Sequence, residues 1–132
     1  MRRACLLAAC FATPATILAQ DATIVYRLGR DTVAVEQFSR TSTRFTGETV
    51  VRSGPAVTRT QYDITLANGK ATSAVVRRRQ ADGSPIPNTP LEWRYTFGPD
   101  SAKRQTVWKD STQSASFAAP NAFVALPVFA LA

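Results

Sequence analysis

The dipeptide Asn68-Gly69 narrows the choice of folds more than any other part of the sequence. Both residue types tolerate positive φ, so the pair is typical of a two-residue type I′ turn between antiparallel strands. We predict a hairpin whose one face is apolar, with Leu66 opposite Ala71, Ile64 opposite Ser73, Tyr62 opposite Val75 and Thr60 opposite Arg77. The same register places Ala74, Val76 and Arg78 on the other face.

Two further turns are predicted in the same way. Gly29-Arg30 closes a first hairpin, in which Ile24, Tyr26 and Leu28 share a face with Val33 and Val35. Pro99-Asp100 closes a last one, which aligns Leu91, Trp93, Tyr95 and Phe97 with Trp108, Thr106, Arg104 and Ala102.

Runs rich in Thr, Val, Ile and aromatic residues recur between turn residues about every ten positions, which is the pattern of an antiparallel meander. We therefore expect an all-β fold, a curved antiparallel meander of about seven strands that forms a half-barrel or an incomplete barrel. Phe38 alternates out of phase with Val33 and Val35. A bulge near Glu36 or Gln37, or a sheet covered on both faces, would reconcile them. Residues 80–90 hold three prolines, which predict a loop.

The two ends of the chain differ from the middle. Residues 1–19 combine a basic start with an apolar run and a cleavage position after Ala19, which predicts a signal peptide and export to the periplasm or the medium. The segment LAAC at residues 7–10 resembles a lipobox, but it follows the basic start too closely, so we do not expect a lipid on Cys10. Residues 20–119 form the predicted β domain. The apolar segment 120–132 reads as the end of a truncated open reading frame.

Composition excludes most catalytic chemistry. The chain has no His, and both cysteines, Cys5 and Cys10, lie in the predicted signal peptide. The mature chain therefore has no His-dependent catalytic triad and no thiolate nucleophile. Metal sites with thiolate or imidazole ligands are excluded as well. The carboxylates are scattered singly, so we expect no catalytic residue, metal or cofactor. Removal of Arg2 and Arg3 lowers the net charge from +7 to about +5. In an exported protein this excess favours anionic lipid headgroups at a membrane surface, lipopolysaccharide or no particular partner over nucleic acid.

The candidate ligand-binding residues are aromatic and basic. Trp93, Tyr95, Phe97 and Trp108 form a stripe that is either core or the lining of a concave sheet for an acyl chain. The predicted register also places Arg59 opposite Arg78. These two arginines are either solvated surface or a site for an anionic headgroup, together with Arg44 or Arg52.

These features together resemble the half-barrels of periplasmic LolA/LolB-type lipoprotein carriers and related exported domains. The resemblance covers about residues 22–109: Tyr26 near Gly29, long strands rich in Thr and Arg, and the segment YDITL at 62–66 closed by Asn68-Gly69. It implies a curved sheet over an apolar cavity, often filled by helices, and it carries over no site residue. Here only residues 121–132 remain to supply a helix.

The function expected from the sequence is that of an exported, non-catalytic β-sheet module that binds a lipid or another apolar ligand. Two alternatives stay open. One is the N-terminal β domain of a longer exported enzyme such as a hydrolase, and the other is a structural envelope protein that binds no ligand. The sequence leaves the oligomeric state open.

Overall fold

The computed structural model describes residues 19–118, which form one antiparallel sheet. Its strands are β1 (Gln20–Leu28), β2 (Asp31–Arg40), β3 (Arg44–Ser53), β4 (Ala56–Ala67), β5 (Lys70–Gln80), β6 (Glu92–Phe97), β7 (Ser101–Val107) and β8 (Thr112–Ala118). Each strand pairs with the next along the chain, and β1 and β8 are the two edges of an open sheet. This confirms the all-β meander. Apart from Ala19, the predicted signal peptide lies outside the described residues, as does the predicted segment 120–132.

Strand β8 is the additional strand beyond the seven or so expected. It pairs with β7 from Val107 opposite Thr112 to Ser101 opposite Ala118, and all its residues are exposed. Its sequence is mostly Ser, Thr and Ala, without alternation of apolar and polar residues. Hydrophobic periodicity does not reveal such a strand, because backbone hydrogen bonds rather than buried side chains hold it.

The three predicted turns are confirmed. Asn68 and Gly69 both have positive φ, 51° and 75°, as a type I′ turn requires. Gly29-Arg30 joins the first two strands. Around Pro99-Asp100 the predicted alignment of the last hairpin also holds, with Trp93 opposite Thr106, Tyr95 opposite Arg104 and Phe97 opposite Ala102. Residues 81–91 form the predicted loop between β5 and β6.

The predicted register of the central hairpin is wrong beyond its first pairs. Leu66 lies opposite Ala71 as predicted, but a bulge then leaves Thr72 without a partner. As a result Ile64 faces Ala74, Tyr62 faces Val76 and Thr60 faces Arg78. The bulge places Ala74 and Val76, both buried, on the same face as Tyr62 and Ile64, whereas the predicted register puts them on the opposite face.

The first hairpin contains a second bulge. Tyr26 lies opposite Ala34 and Arg27 opposite Thr32, so the residue between them, Val33, has no partner on β1. Val35 then faces Val25 instead of sharing a face with Ile24 and Tyr26, so that predicted grouping is wrong. This bulge brings Phe38 into phase with Tyr26, and it lies at Val33 rather than near Glu36 or Gln37, where a bulge was predicted.

One face of the sheet, here called the apolar face, carries the core. Its buried cluster is Tyr62, Ile64, Ala74 and Val76, and the partly buried side chains packed against it are Phe38, Phe45, Leu66, Ala71, Trp93, Tyr95 and Phe97. The rings interlock: Phe45 lies 5.3 Å from both Phe38 and Tyr62, measured between ring centroids. Such contacts add to the burial of apolar area.

The opposite face, here called the polar face, is cross-linked by ion pairs. Arg44 and Asp63 form a two-pronged pair, with nitrogen–oxygen distances of 2.9 and 2.6 Å. Arg59 bonds Glu48, and both Arg77 and Arg94 bond Glu92. Three of these ion pairs join neighbouring strands, and the Arg94–Glu92 contact lies within β6. Because most of these side chains are substantially exposed, they fix register more than they contribute stability.

Candidate ligand-binding face

The predicted aromatic stripe lies on the apolar face. Trp93, Tyr95 and Phe97 alternate along β6, and all three remain partly exposed while they pack against the core. Tyr95 and Phe97 are stacked, with their centroids 6.1 Å apart and their planes inclined by 4°. The stripe is therefore both a flank of the core and an accessible surface.

Trp108 continues this surface at the end of β7. By strand alternation it lies on the same face as Thr106, which is directly opposite Trp93. Its indole nitrogen Nε1 is buried, with no hydrogen-bond partner among the described residues. A buried donor without an acceptor is uncommon in proteins.

The two predicted site arginines are on opposite faces. Arg78 is on the apolar face, opposite Thr60, and is partly buried. Arg59 is on the polar face, opposite Arg79, and both oxygens of Glu48 bind its guanidinium. The predicted pairing of Arg59 with Arg78 is therefore wrong, because the bulge at Thr72 shifts β5 by one residue.

Two arginines on the apolar face were missed by the sequence reasoning. Arg104 lies directly opposite Tyr95, and Arg40 lies directly opposite Phe45. The predicted alignment around Pro99-Asp100 already pairs Arg104 with Tyr95, whereas no turn residue predicts the pairing of Arg40 with Phe45. The arginines first considered with Arg59, Arg44 and Arg52, are instead on the polar face.

A buried carboxylate, Glu36, joins three strands on the apolar face. Tyr26 of β1 donates to its Oε2 at 2.8 Å, and Tyr62 of β4 donates to its Oε1 at 2.6 Å. Glu36 is 5% exposed. Since each oxygen accepts a hydroxyl hydrogen bond, the charge is compensated where water has little access.

Gly47 makes the contact between Tyr62 and Glu36 possible. It lies directly opposite Tyr62, between that residue and the strand that carries Glu36. A Cβ atom at this position would overlap the Oη and Cζ of Tyr62 and would lie 2.7 Å from the carbonyl oxygen of Gln37. The absence of a side chain lets the Tyr62 ring cross β3 to reach Glu36.

The two tyrosines resist ionisation. Burial raises the pKa of Tyr62 far above its ordinary value of 10.0, and the hydrogen bond to Glu36 and the negative charge of Glu36 raise it further. The pKa of Tyr26 is raised by the same causes. An ionised phenol beside Glu36 would place two negative charges in a poorly solvated position.

Stability is therefore expected to fall above pH 10. Below that pH the phenol of Tyr62 is protonated in the folded and unfolded chains alike, and its contribution is complete. Above it only the unfolded chain ionises, so the free energy of unfolding decreases by about 1.4 kcal/mol per pH unit for this residue. Urea unfolding between pH 8 and 11 measures the slope. The Tyr62→Phe variant, compared with its own value at pH 8, should decline less steeply, and equal slopes would contradict the assignment.

A separate open groove of about 820 Å³ borders strands β1–β4. Most of its lining side chains belong to the polar face: Asp21, Thr23, Gln37, Ser39, Thr46, Glu48, Gln61 and Asp63. Two of these carboxylates are paired with arginines: Glu48 with Arg59, and Asp63 with Arg44. None of the predicted site residues lines this groove. Within residues 19–118 no group of three or more potential ligands is placed to hold a metal ion.

Comparison of the chain with protein-family models, curated protein sequences and solved structures finds no match. The resemblance to LolA/LolB-type carriers therefore stays a prediction. The described geometry shows a partly exposed surface of aromatic side chains and arginines on one face of the sheet.

Proposed function

We propose that this chain is an exported, non-catalytic β-sheet module that binds a lipid or another apolar ligand on its apolar face. The observation that carries the proposal is the aromatic stripe of Trp93, Tyr95 and Phe97, which stays partly exposed beside the core. Export, predicted from residues 1–19, is part of the proposal.

The sheet lies on one side of this stripe, and the other side is uncovered among the described residues. Within residues 19–118 all eight strands belong to this one sheet and no helix is formed, so no second sheet or helix packs over the apolar face. A contiguous apolar surface larger than a few hundred square ångströms is uncommon on a soluble monomer unless it binds something. Covering it contributes about 25 cal/mol per square ångström, which is enough to hold an acyl chain.

Binding is tested by titration of the exported protein with a single-chain phospholipid below its micellar concentration. The emission of Trp93 and Trp108 reports occupancy, and native mass spectrometry reports stoichiometry. We expect saturable binding of one or a few lipids. No added mass, together with unchanged emission at the highest lipid concentration, would contradict the proposal and favour a structural protein.

Two variants localise the ligand. Phe97→Ser removes a ring from the stripe and should weaken binding about tenfold, through lost apolar contact. Val75→Ser makes a similar change at a partly buried position on the polar face and should leave the affinity unchanged. Unfolding curves of both variants establish that each is folded at the assay temperature. Equal affinities for the two variants would place the ligand elsewhere.

A further inference from the structure

We infer that the ligand of the apolar face is an anionic amphiphile, whose headgroup binds at Arg78 while its apolar chain covers the aromatic stripe. This inference rests on the proposed function and names the chemical class of the ligand. It is drawn from the positions of Arg40, Arg78 and Arg104, which the pairing of the strands places on the apolar face.

Among the described residues, these three arginines have no ion-pair partner on their own face. Apart from residues in the hairpin turns, Glu36 is the only described carboxylate on the apolar face. Both of its oxygens accept hydrogen bonds from tyrosine hydroxyls. Within residues 19–118, none of the three arginines forms an ion pair. All four described ion pairs involve arginines of the polar face. The apolar face therefore combines aromatic surface with uncompensated positive charge, as an anionic amphiphile requires.

Arg78 is the best placed of the three. It follows Val76 by two residues on β5, and Val76 lies directly opposite Trp93, so Arg78 stands beyond the Trp93 end of the stripe. It is partly buried, whereas Arg40 and Arg104 are exposed. A cation that has lost part of its hydration without gaining a carboxylate is stabilised when a ligand supplies the anion.

The spacing of the arginines gives the ligand a direction. Trp93 and Phe97 are four residues apart on one strand, about 13 Å. A chain that lies along this stripe has Arg78 at one end and Arg104 beside its middle, opposite Tyr95. Arg40 and Arg104 are five strands apart, about 24 Å, so one headgroup cannot bind both. Arg78 is therefore the headgroup anchor, and Arg104 adds to the local potential.

Neighbouring residues supply a matched control. Arg79 follows Arg78 in the same strand, is also partly buried and also lacks an ion pair among the described residues, but it faces Arg59 on the polar face. Arg78→Gln and Arg79→Gln therefore remove the same charge from opposite faces. Lys103→Gln and Arg104→Gln form a second such pair on β7.

The test compares lysophosphatidylglycerol with lysophosphatidylcholine of the same acyl chain, again below their micellar concentrations. We expect the exported protein to bind the anionic lipid about tenfold more tightly. Arg78→Gln should remove most of this preference, because it lowers the affinity for lysophosphatidylglycerol much more than the affinity for lysophosphatidylcholine, and Arg79→Gln should retain the preference. Glycerol phosphate, which has the anion without the chain, should compete only weakly.

The outcomes separate the two proposals. Failure of both lipids to bind would overturn the proposed function and the headgroup assignment with it. Equal affinity for the two lipids, or an equal loss of preference in Arg78→Gln and Arg79→Gln, would overturn the headgroup assignment alone. Strong competition by glycerol phosphate would show a site for the free anion and would also overturn it.

Discussion

Replacement of Gly47 by Ala is expected to lower the free energy of unfolding by about 4 kcal/mol, as overpacking at a rigid position with loss of a buried contact does. The added methyl group would overlap the end of the Tyr62 ring and lie 2.7 Å from the backbone oxygen of Gln37. Tyr62 is 5% exposed, so its ring has little room to move aside. Displacement of the ring also breaks its hydrogen bond to Glu36.

Urea unfolding followed by tryptophan emission measures this effect. Thr46→Ala is the matched control, because it alters the preceding residue on the polar face and should cost less than about 1 kcal/mol. In a Tyr62→Ala background, Gly47→Ala should cost much less than in the parent chain, since the ring is gone. A loss below about 0.5 kcal/mol in the parent chain would show that the ring does not depend on Gly47.

Local turn chemistry was the part of the fold that could be predicted. At Asn68-Gly69 the residue types themselves favour positive φ, and at Pro99-Asp100 proline fixes the backbone at the turn. The last hairpin has no bulge, so its turn determined every pair as far as Trp93 and Thr106. Turn position and strand class thus follow from a few residues that act locally.

The positions of the bulges, at Val33 and Thr72, could not be predicted. A bulge shifts the pattern by one residue, and its position depends on which side chains the neighbouring strands require on one face. In β5, Ala74 and Val76 lie opposite Tyr95 and Trp93 as well as Ile64 and Tyr62. When the β4–β5 hairpin is considered alone, the packing against β6 is missing, and nothing in the hairpin itself favours a bulge at Thr72.

The candidate site, like the fold, was predicted where it depends on local alternation and was mispredicted where it depends on register across a bulge. The stripe of Trp93, Tyr95 and Phe97 depends on simple alternation and lies on one face as expected. The grouping of Arg59 with Arg78 depended on register across the bulge and was wrong. The pairing of Tyr62 with Glu36 spans 26 positions in sequence, and no local pattern indicates it. A glycine in mid-strand, Gly47, was the signal that a side chain crosses there.

Replacement of Glu36 by Ala is expected to cost about 3 kcal/mol of unfolding free energy, the second largest effect among these variants. The substitution leaves the buried hydroxyl of Tyr62 without its acceptor and removes the link between β1, β2 and β4. It also leaves a cavity beside Tyr62, which is part of the core cluster. Equilibrium unfolding in urea at pH 7 gives the loss directly.

Glu36→Gln separates the hydrogen bonds from the charge. The amide has nearly the same shape, and its oxygen accepts from one tyrosine while its NH₂ group donates to the hydroxyl oxygen of the other. This variant should lose only about 1 kcal/mol, because both contacts persist without charge assistance. Its decline above pH 10 should also end at a lower pH than in the parent chain, since part of what raises the pKa of Tyr62 is the negative charge of Glu36. If Glu36→Gln were as unstable as Glu36→Ala, the charge itself would be what holds β1 and β4 to β2.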